Sequence, residues 1–87
     1  MSRAQVRSIK RGMRQAAQPQ QAAELAGQLL QRSIMLGHRR LAVIRLHEAA
    51  RLGAPITPDQ LAYCERVARA SGDARLLALF RAATAAG

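Results

Sequence analysis

Aromatic side chains are nearly missing from this 87-residue chain: Tyr63 and Phe80 are the only two, and tryptophan is absent. Proteins that read single-stranded nucleic acid stack bases on aromatic platforms or clamp the backbone with a Gly-x-x-Gly loop. Two aromatics and no such loop disfavour that class. Cys64 is the only cysteine, so no internal disulfide forms and nothing suggests an oxidising compartment. The longest strongly apolar piece covers residues 41–44, far short of the ~18–20 residues of a membrane span. No apolar stretch follows the N-terminal charges as a secretory signal requires. The Arg-rich, acid-free start matches an organellar transit peptide only superficially, because its apolar stripe is thin. The expectation is a soluble, cytoplasmic protein.

Acids are scarce too. Glu24, Glu48, Asp59, Glu65 and Asp73 stand against thirteen arginines and Lys10, for a net charge of +9. Codon bias accounts for arginine in place of lysine better than it accounts for so few acids. Positive charge at this density favours anionic partners: nucleic acid, an acidic protein surface or anionic lipid.

Catalytic constellations are also lacking. Nucleophilic catalysis needs Ser or Cys beside His and an orienting acid. Cys64 falls on an apolar helical face, where it reads as a small core residue. His38 opens a helix and His47 sits on an outer face, and neither has a metal-ligating partner three or four residues away. The expectation is a non-enzymatic protein with no cofactor and no metal.

What the chain does have is nineteen alanines and eleven leucines in helical periods. Alanine favours helix and close helix contact but buries little area. A chain this short buries only roughly 60–65% of its unfolded surface. Docking on a partner or self-association would add to a thin stability margin.

Residues 38–53 carry the clearest period. At about 100° per residue, Leu52, Ala49, Ala42, Leu46, Ala50 and Val43 form one arc, with Arg40, His47 and Arg51 opposite. This predicts a helix opened after Gly37 and closed at Gly53. Before it, residues 20–36 carry Leu25, Leu36, Leu29, Ala22, Ala26, Leu30, Ala23 and Ile34 over half the wheel, which predicts a helix packed on two neighbours. Gly37 suits the left-handed C-cap, and the short connection predicts an antiparallel hairpin.

Residues 2–18 hold Arg3, Arg7, Lys10, Arg11 and Arg14 with no acid. Val6, Ile9, Met13 and Ala16 are spaced for the opposite side, so this is a basic amphipathic helix weakened by Gly12 and like-charge repulsion. Pro19 breaks the pattern, and residues 18–21 read as a polar hinge.

The sharpest local signal is Ile56-Thr57-Pro58-Asp59-Gln60-Leu61. Thr57 reads as N-cap, Pro58 as first helical residue, Gln60 as the return arm of a capping box, and Ile56 with Leu61 as a hydrophobic staple. The predicted helix runs to about Ala70 with Leu61, Cys64, Val67 and Ala68 inward. After Ser71-Gly72-Asp73, with Ser71 or Asp73 as cap, a last helix over 74–85 buries Leu76, Leu77, Leu79, Phe80 and Ala83. Ala68 and Gly72 mimic a DNA-binding helix-turn-helix, but Asp73 stands where an apolar residue is needed and Arg81 falls at a core position.

Gly37-His38-Arg39-Arg40-Leu41-Ala42-Val43-Ile44 and Gly72-Asp73-Ala74-Arg75-Leu76-Leu77-Ala78-Leu79 align at an offset of 35, close to the period of about 34 in helix–turn–helix solenoid repeats. The first unit resembles a tetratricopeptide repeat. Gly37 lies at the inter-helix turn, Ala42, Leu46 and Ala49 lie where that family packs its second helix, and Pro55 falls near its terminal proline. The resemblance covers residues 23–86. It departs from the family where large aromatics are expected, at Ala26 and Ser33, and in the second unit, where Arg81 takes a core position.

These readings converge on an all-α chain of about five helices. The basic N-terminal helix or arm covers residues 1–18. Two antiparallel α-hairpins make up the 19–87 domain. The expected function is a protein-interaction module (adaptor, chaperone or inhibitor) with an apolar groove for a partner helix and an Arg-rich surface for acidic groups. Leu29 and Leu46 are the groove-facing candidates. The contact residues are Arg3, Arg7, Lys10, Arg11, Arg14, Arg39, Arg40, Arg45 and Arg51. Arg45 projects from the core side of its helix, either snorkelling outward or pairing with Glu24, Asp59 or a partner's acid, while Glu48 reads as a surface ion-pair residue. The partner is an acidic protein or a second copy. The alternative is a nucleic-acid binder whose basic N-terminal helix contacts phosphates. A membrane surface is disfavoured, since residues 2–18 lack Trp, Phe and Leu.

Overall fold

The computed structural model describes residues 19–85. They form four helices and, among the described residues, no strand: α1 (Pro19–Met35), α2 (Arg39–Arg51), α3 (Pro58–Ala70) and α4 (Ala74–Ala85). The all-α class expected from the sequence is the class found. The proposed basic helix over 2–18 lies outside the described residues, and with it Arg3, Arg7, Lys10, Arg11 and Arg14.

Each helix boundary has a local cause. α1 begins at Pro19 itself, where a missing N–H costs nothing because the first helical donors are unpaired in any case. The polar hinge expected over 18–21 is therefore corrected: Gln20 and Gln21 are already helical. α1 ends in a Schellman turn, with Gly37 at φ 72°, its N–H donating to Ile34 O and that of His38 to Ser33 O. α2 ends in the same way, with Gly53 at φ 78°, its N–H donating to Ala50 O and that of Ala54 to Ala49 O. An L-residue with a Cβ is strained in that left-handed conformation, which is why glycine closes both helices. The first turn also overturns one assignment. Leu36, placed in the apolar stripe of its helix by sequence, lies past the last helical residue and is exposed.

α3 opens on the full capping box. The Gln60 N–H donates to Thr57 Oγ1 at 3.1 Å, and the Thr57 N–H donates to Gln60 Oε1 at 3.0 Å. Gln60 Nε2 also donates to Gln31 Oε1 at 3.0 Å, tying the start of α3 to α1. Of the two caps considered for α4, Asp73 is the one used: the Arg75 N–H donates to its Oδ1 at 2.9 Å.

α2 is the central helix. It touches α1, α3 and α4, whereas α1 and α4 have no contact. Its Ala42, Val43, Leu46 and Ala49 are fully enclosed. Around them lie Ala23, Ala26 and Leu30 from α1, Cys64 and Ala68 from α3, and Leu76, Phe80 and Ala83 from α4. Seven of the thirteen residues in this cluster are alanine, so the helices approach closely while each contact removes little apolar area. Leu29 and Leu46, expected to face a groove, are core residues at 2% and 0% exposure. Ser33, a polar residue among them, is satisfied by donating its hydroxyl to Leu29 O at 3.0 Å. Arg81, which the sequence alignments put at a core position, is exposed.

Candidate functional site

One concavity that carries charge lies between the first turn of α2 and the outer face of α3. It has a volume of about 410 Å³ and is lined by Arg39, Arg40, Tyr63, Arg66, Val67, Ala70 and Ser71. The Schellman turn at Gly37 reverses the chain and starts α2 at once, so Arg39 and Arg40 both fall in its first turn. Arg66, Val67 and Ala70 follow Tyr63 by three, four and seven residues, which puts them on one stripe of α3. Tyr63 and Val67 pack inward against the core, while Arg66 is exposed. The result is a cleft lined by arginines and apolar residues together.

The local field is positive from two sources. Helix N-termini carry positive partial charge, and the first turn of α2 contains no acid to offset it. His38 occupies the N-cap position but makes no side-chain cap bond. Asp73, at the start of α4, lies beside this region, its Oδ2 accepting from Arg40 Nη2. The Arg40 guanidinium, followed by the Arg75 backbone N–H, holds the Asp73 carboxyl below its ordinary value. Ser71 turns its hydroxyl to the backbone, donating to Ala68 O at 2.8 Å and accepting from the Asp73 N–H at 3.0 Å. Arg39 and Arg66 form no ion pair among the described residues. Arg69, the neighbouring cation on α3, instead faces Glu65 at 3.7 Å.

Of the four arginines of the 19–87 domain singled out from the sequence, Arg39 and Arg40 meet here. Arg45 does not line the cleft. Its partner is neither Glu24 nor Asp59 but Glu48, one turn along its own helix at 2.9 Å. Glu48, read from the sequence as a surface ion-pair residue, is paired in this way with its side chain 26% exposed. Arg51 lies in the last turn of α2, where a cation complements the negative helix end. Arg66 and Tyr63 were missed as contact residues. Their signal was the 63-66-67-70 stripe, which shows an arginine flanked by apolar neighbours only when α3 is drawn as a helix with a half-covered face.

The described residues also form two further hollows of note. An apolar groove of about 380 Å³ runs between Ala50, Gly53, Ala54, Ile56, Leu61, Ala83 and Thr84. A smaller one of about 310 Å³ is bounded by Gln31, Ile34, Thr57, Asp59 and Gln60. Neither contains Leu29 or Leu46, so the groove anticipated at those residues is not where the surface is concave. Cys64 is fully buried and its thiol is pushed up to about 11 by burial, so it is a protonated core group at neutral pH. Among the described residues no cluster of His, Cys, Asp and Glu could hold a metal ion, and no helix is long and apolar enough to cross a membrane.

No family model, no curated protein and no solved structure matches this chain.

Proposed function

We propose that the chain is a small, non-enzymatic protein-interaction module of the adaptor, chaperone or inhibitor kind, and that it takes an acidic partner on the Arg39–Arg40–Arg66 cleft. The single observation that carries this reading is that three arginines from two helices line one cleft together with Tyr63, Val67 and Ala70. A surface built to track a nucleic-acid backbone needs cations in a line at phosphate spacing, and apolar lining adds nothing to phosphate contact. A protein segment offers both carboxylates and apolar side chains, and both have a counterpart here. The alanine-rich core adds to the argument, because a fold with so little bulky packing gains stability from a bound partner.

We further read the four helices as two antiparallel hairpins of tetratricopeptide type, preceded by residues 2–18 as a basic fifth helix. The support is positional. Gly37 and Gly72 both have positive φ, and α2 and α4 each start two residues later, at Arg39 and Ala74. The offset of 35 thus recurs in backbone conformation as well as in residue type. A cytoplasmic setting accompanies this reading, with Cys64 a buried free thiol.

The test is retention of an acidic protein from a cell extract by the immobilised full chain. Retention should be lost in R39Q/R66Q when helicity by circular dichroism is unchanged. A parallel anisotropy titration with duplex DNA at two salt concentrations, on the full chain and on one lacking residues 1–18, covers the competing reading. Tight binding with a log–log salt slope near about −4, abolished by the truncation, would replace protein interaction by phosphate contact through residues 2–18.

A further inference from the structure

We infer that the cleft is a receptor for a short acidic peptide segment, two carboxylates bracketing one large apolar side chain, and that Asp73 is its internal competitor, holding Arg40 until a ligand carboxylate takes its place. This deepens the reading above and rests on it.

The division of labour on Asp73 makes the inference specific. Its Oδ1 caps α4 through the Arg75 N–H at 2.9 Å. Its Oδ2 accepts from Arg40 Nη2, across thirty-three positions of sequence. The cap needs a side-chain oxygen, and the arginine contact draws its strength from a charge. Only the cap is a requirement of the helix. The arginine contact closes one corner of the cleft with the same chemical group that an acidic ligand would bring.

The pair is built to exchange. Arg40 remains 65% exposed while it is bonded. Exposed ion pairs are weak and screened by salt, so an incoming carboxylate competes on nearly equal terms. The other two cations need no such release, since neither Arg39 nor Arg66 is ion-paired among the described residues. A ligand therefore finds two available guanidinium groups and one that it must win from Asp73. The planar guanidinium favours the two-oxygen geometry of a carboxylate.

Size and charge narrow the occupant. A volume of about 410 Å³ lies at the small end of ligand-sized pockets, which span about 300–1,000 Å³, so it suits one large side chain with its flanking carboxylates rather than a whole helix. Tyr63, Val67 and Ala70 supply the apolar contact for that side chain. A second copy of the chain is a poor occupant, since each copy carries +9 and would bring its own excess of positive charge to a positive cleft.

The experiment is a fluorescence-anisotropy titration of the full chain with a dye-labelled peptide in which one leucine is flanked on both sides by glutamates. The same peptide with glutamine for glutamate, and a thymidine oligonucleotide of equal charge, serve as comparisons. The glutamate peptide should bind and the glutamine peptide should not. R39Q/R66Q should weaken binding by at least about tenfold, the scale of lost charge-assisted hydrogen bonds. D73N should tighten it by about two- to fivefold, the range that an exposed ion pair spans. Asparagine caps helices as well as aspartate does, so D73N keeps the start of α4, and circular dichroism verifies that helicity is unchanged in every variant.

Unchanged or weaker binding by D73N overturns the competitor role. Binding that ignores R39Q/R66Q overturns the cleft as the site and leaves the module reading standing on another surface. An oligonucleotide that binds more tightly than the peptide and loses affinity in R39Q/R66Q makes the cleft a phosphate site instead. Failure of the peptide to bind overturns the inference, and the module reading then falls only if the immobilised chain also retains no acidic protein.

Discussion

Arg45 and Glu48, one turn apart on α2, form an ion pair at 2.9 Å with side chains only 13% and 26% exposed. Arg45 Nε is buried without a hydrogen-bond partner among the described residues. Its guanidinium therefore relies on Glu48 to offset the loss of water. Glu48→Ala should destabilise the fold by about 1–3 kcal/mol, the cost of leaving a partly buried charged donor unpaired. The double variant Arg45→Met, Glu48→Gln should recover most of that loss, because it removes the charge together with its partner. Urea denaturation of the three proteins measures both effects, and equal stability of Glu48→Ala and the parent would show that water already serves Arg45.

The capping box at Thr57 offers a cleaner stability test, since the residue is exposed and touches no other function. Thr57→Ala removes the acceptor for the Gln60 N–H and leaves Gln60 to hold only one side of the box. The expected loss is about 1 kcal/mol, read as a lower urea midpoint at unchanged slope. Thr57→Ser should restore nearly all of it. A Thr57→Ala protein as stable as the parent would mean that Pro58 alone sets the start of α3.

Why these elements were legible in the sequence and the cleft was not follows from the range of the forces involved. The Thr57–Gln60 box spans four residues, and the Gly37 and Gly53 turns close within six, so their chemistry is complete in a short window. The inward face of α2 was equally readable, because Ala42, Val43, Leu46 and Ala49 repeat at helical spacing in a helix enclosed by three neighbours. The cleft depends instead on how α2 and α3 lie against each other. Nothing near Arg39 in sequence names Tyr63 or Arg66, and nothing near Arg40 names Asp73. Leu36 failed for a related reason: periodicity alone does not say where a helix stops, and one residue beyond Met35 the stripe no longer faces the core. Leu29 and Leu46, read as groove-facing, show the same limit, because spacing alone does not tell an apolar residue that faces a groove from one that faces the core. In the structure both are enclosed, and with seven of the thirteen clustered core residues alanine, the packing depends on a few larger side chains.

That dependence can be measured at Leu46, which is fully enclosed at the centre of α2. Leu46→Ala should cost about 2–5 kcal/mol through lost transfer energy and the cavity left behind. Small domains are stable by only about 5–15 kcal/mol in general, so this variant should lose a large share of its stability and melt well below the parent. Ile44, two residues earlier and 43% exposed, is the control: Ile44→Gln should fall within about 0.5 kcal/mol of the parent. Thermal melts of the two variants side by side suffice, and a mild Leu46→Ala would mean that the alanine-lined helices collapse onto the gap.

Acid should act on the fold through Asp73. Its carboxyl is held below the ordinary value of 3.8 by the Arg40 hydrogen bond first and the Arg75 N–H second. Below 3.8 the unfolded chain takes up the proton before the folded one does, so stability rises with pH there. The contribution is complete above 3.8 and disappears as the pH falls through the lowered folded value. Urea midpoints of the parent and Asp73→Asn should therefore differ at neutral pH and converge in acid. Curves that stay parallel throughout would mean that the Arg40 contact does not bias the ionisation of Asp73.

At the alkaline end the corresponding group is Cys64. Burial raises its thiol from 9.0 to about 11, so the folded chain keeps a proton that the unfolded chain gives up. The sign is opposite to that of Asp73: the contribution is fully present below pH 9.0 and is lost as the pH rises towards about 11. Cys64→Ala lacks this ionisation, so its stability relative to the parent should improve over that interval. The same burial makes the native thiol inert, because the thiolate is the reactive species and has no route to solvent. Labelling by a disulfide reagent at about pH 8, a little below the ordinary thiol value, should proceed only as fast as the chain opens and should accelerate with urea in step with loss of helicity. Rapid labelling of the folded protein would place Cys64 at a surface that opens on its own, between α2 and the two helices that follow it.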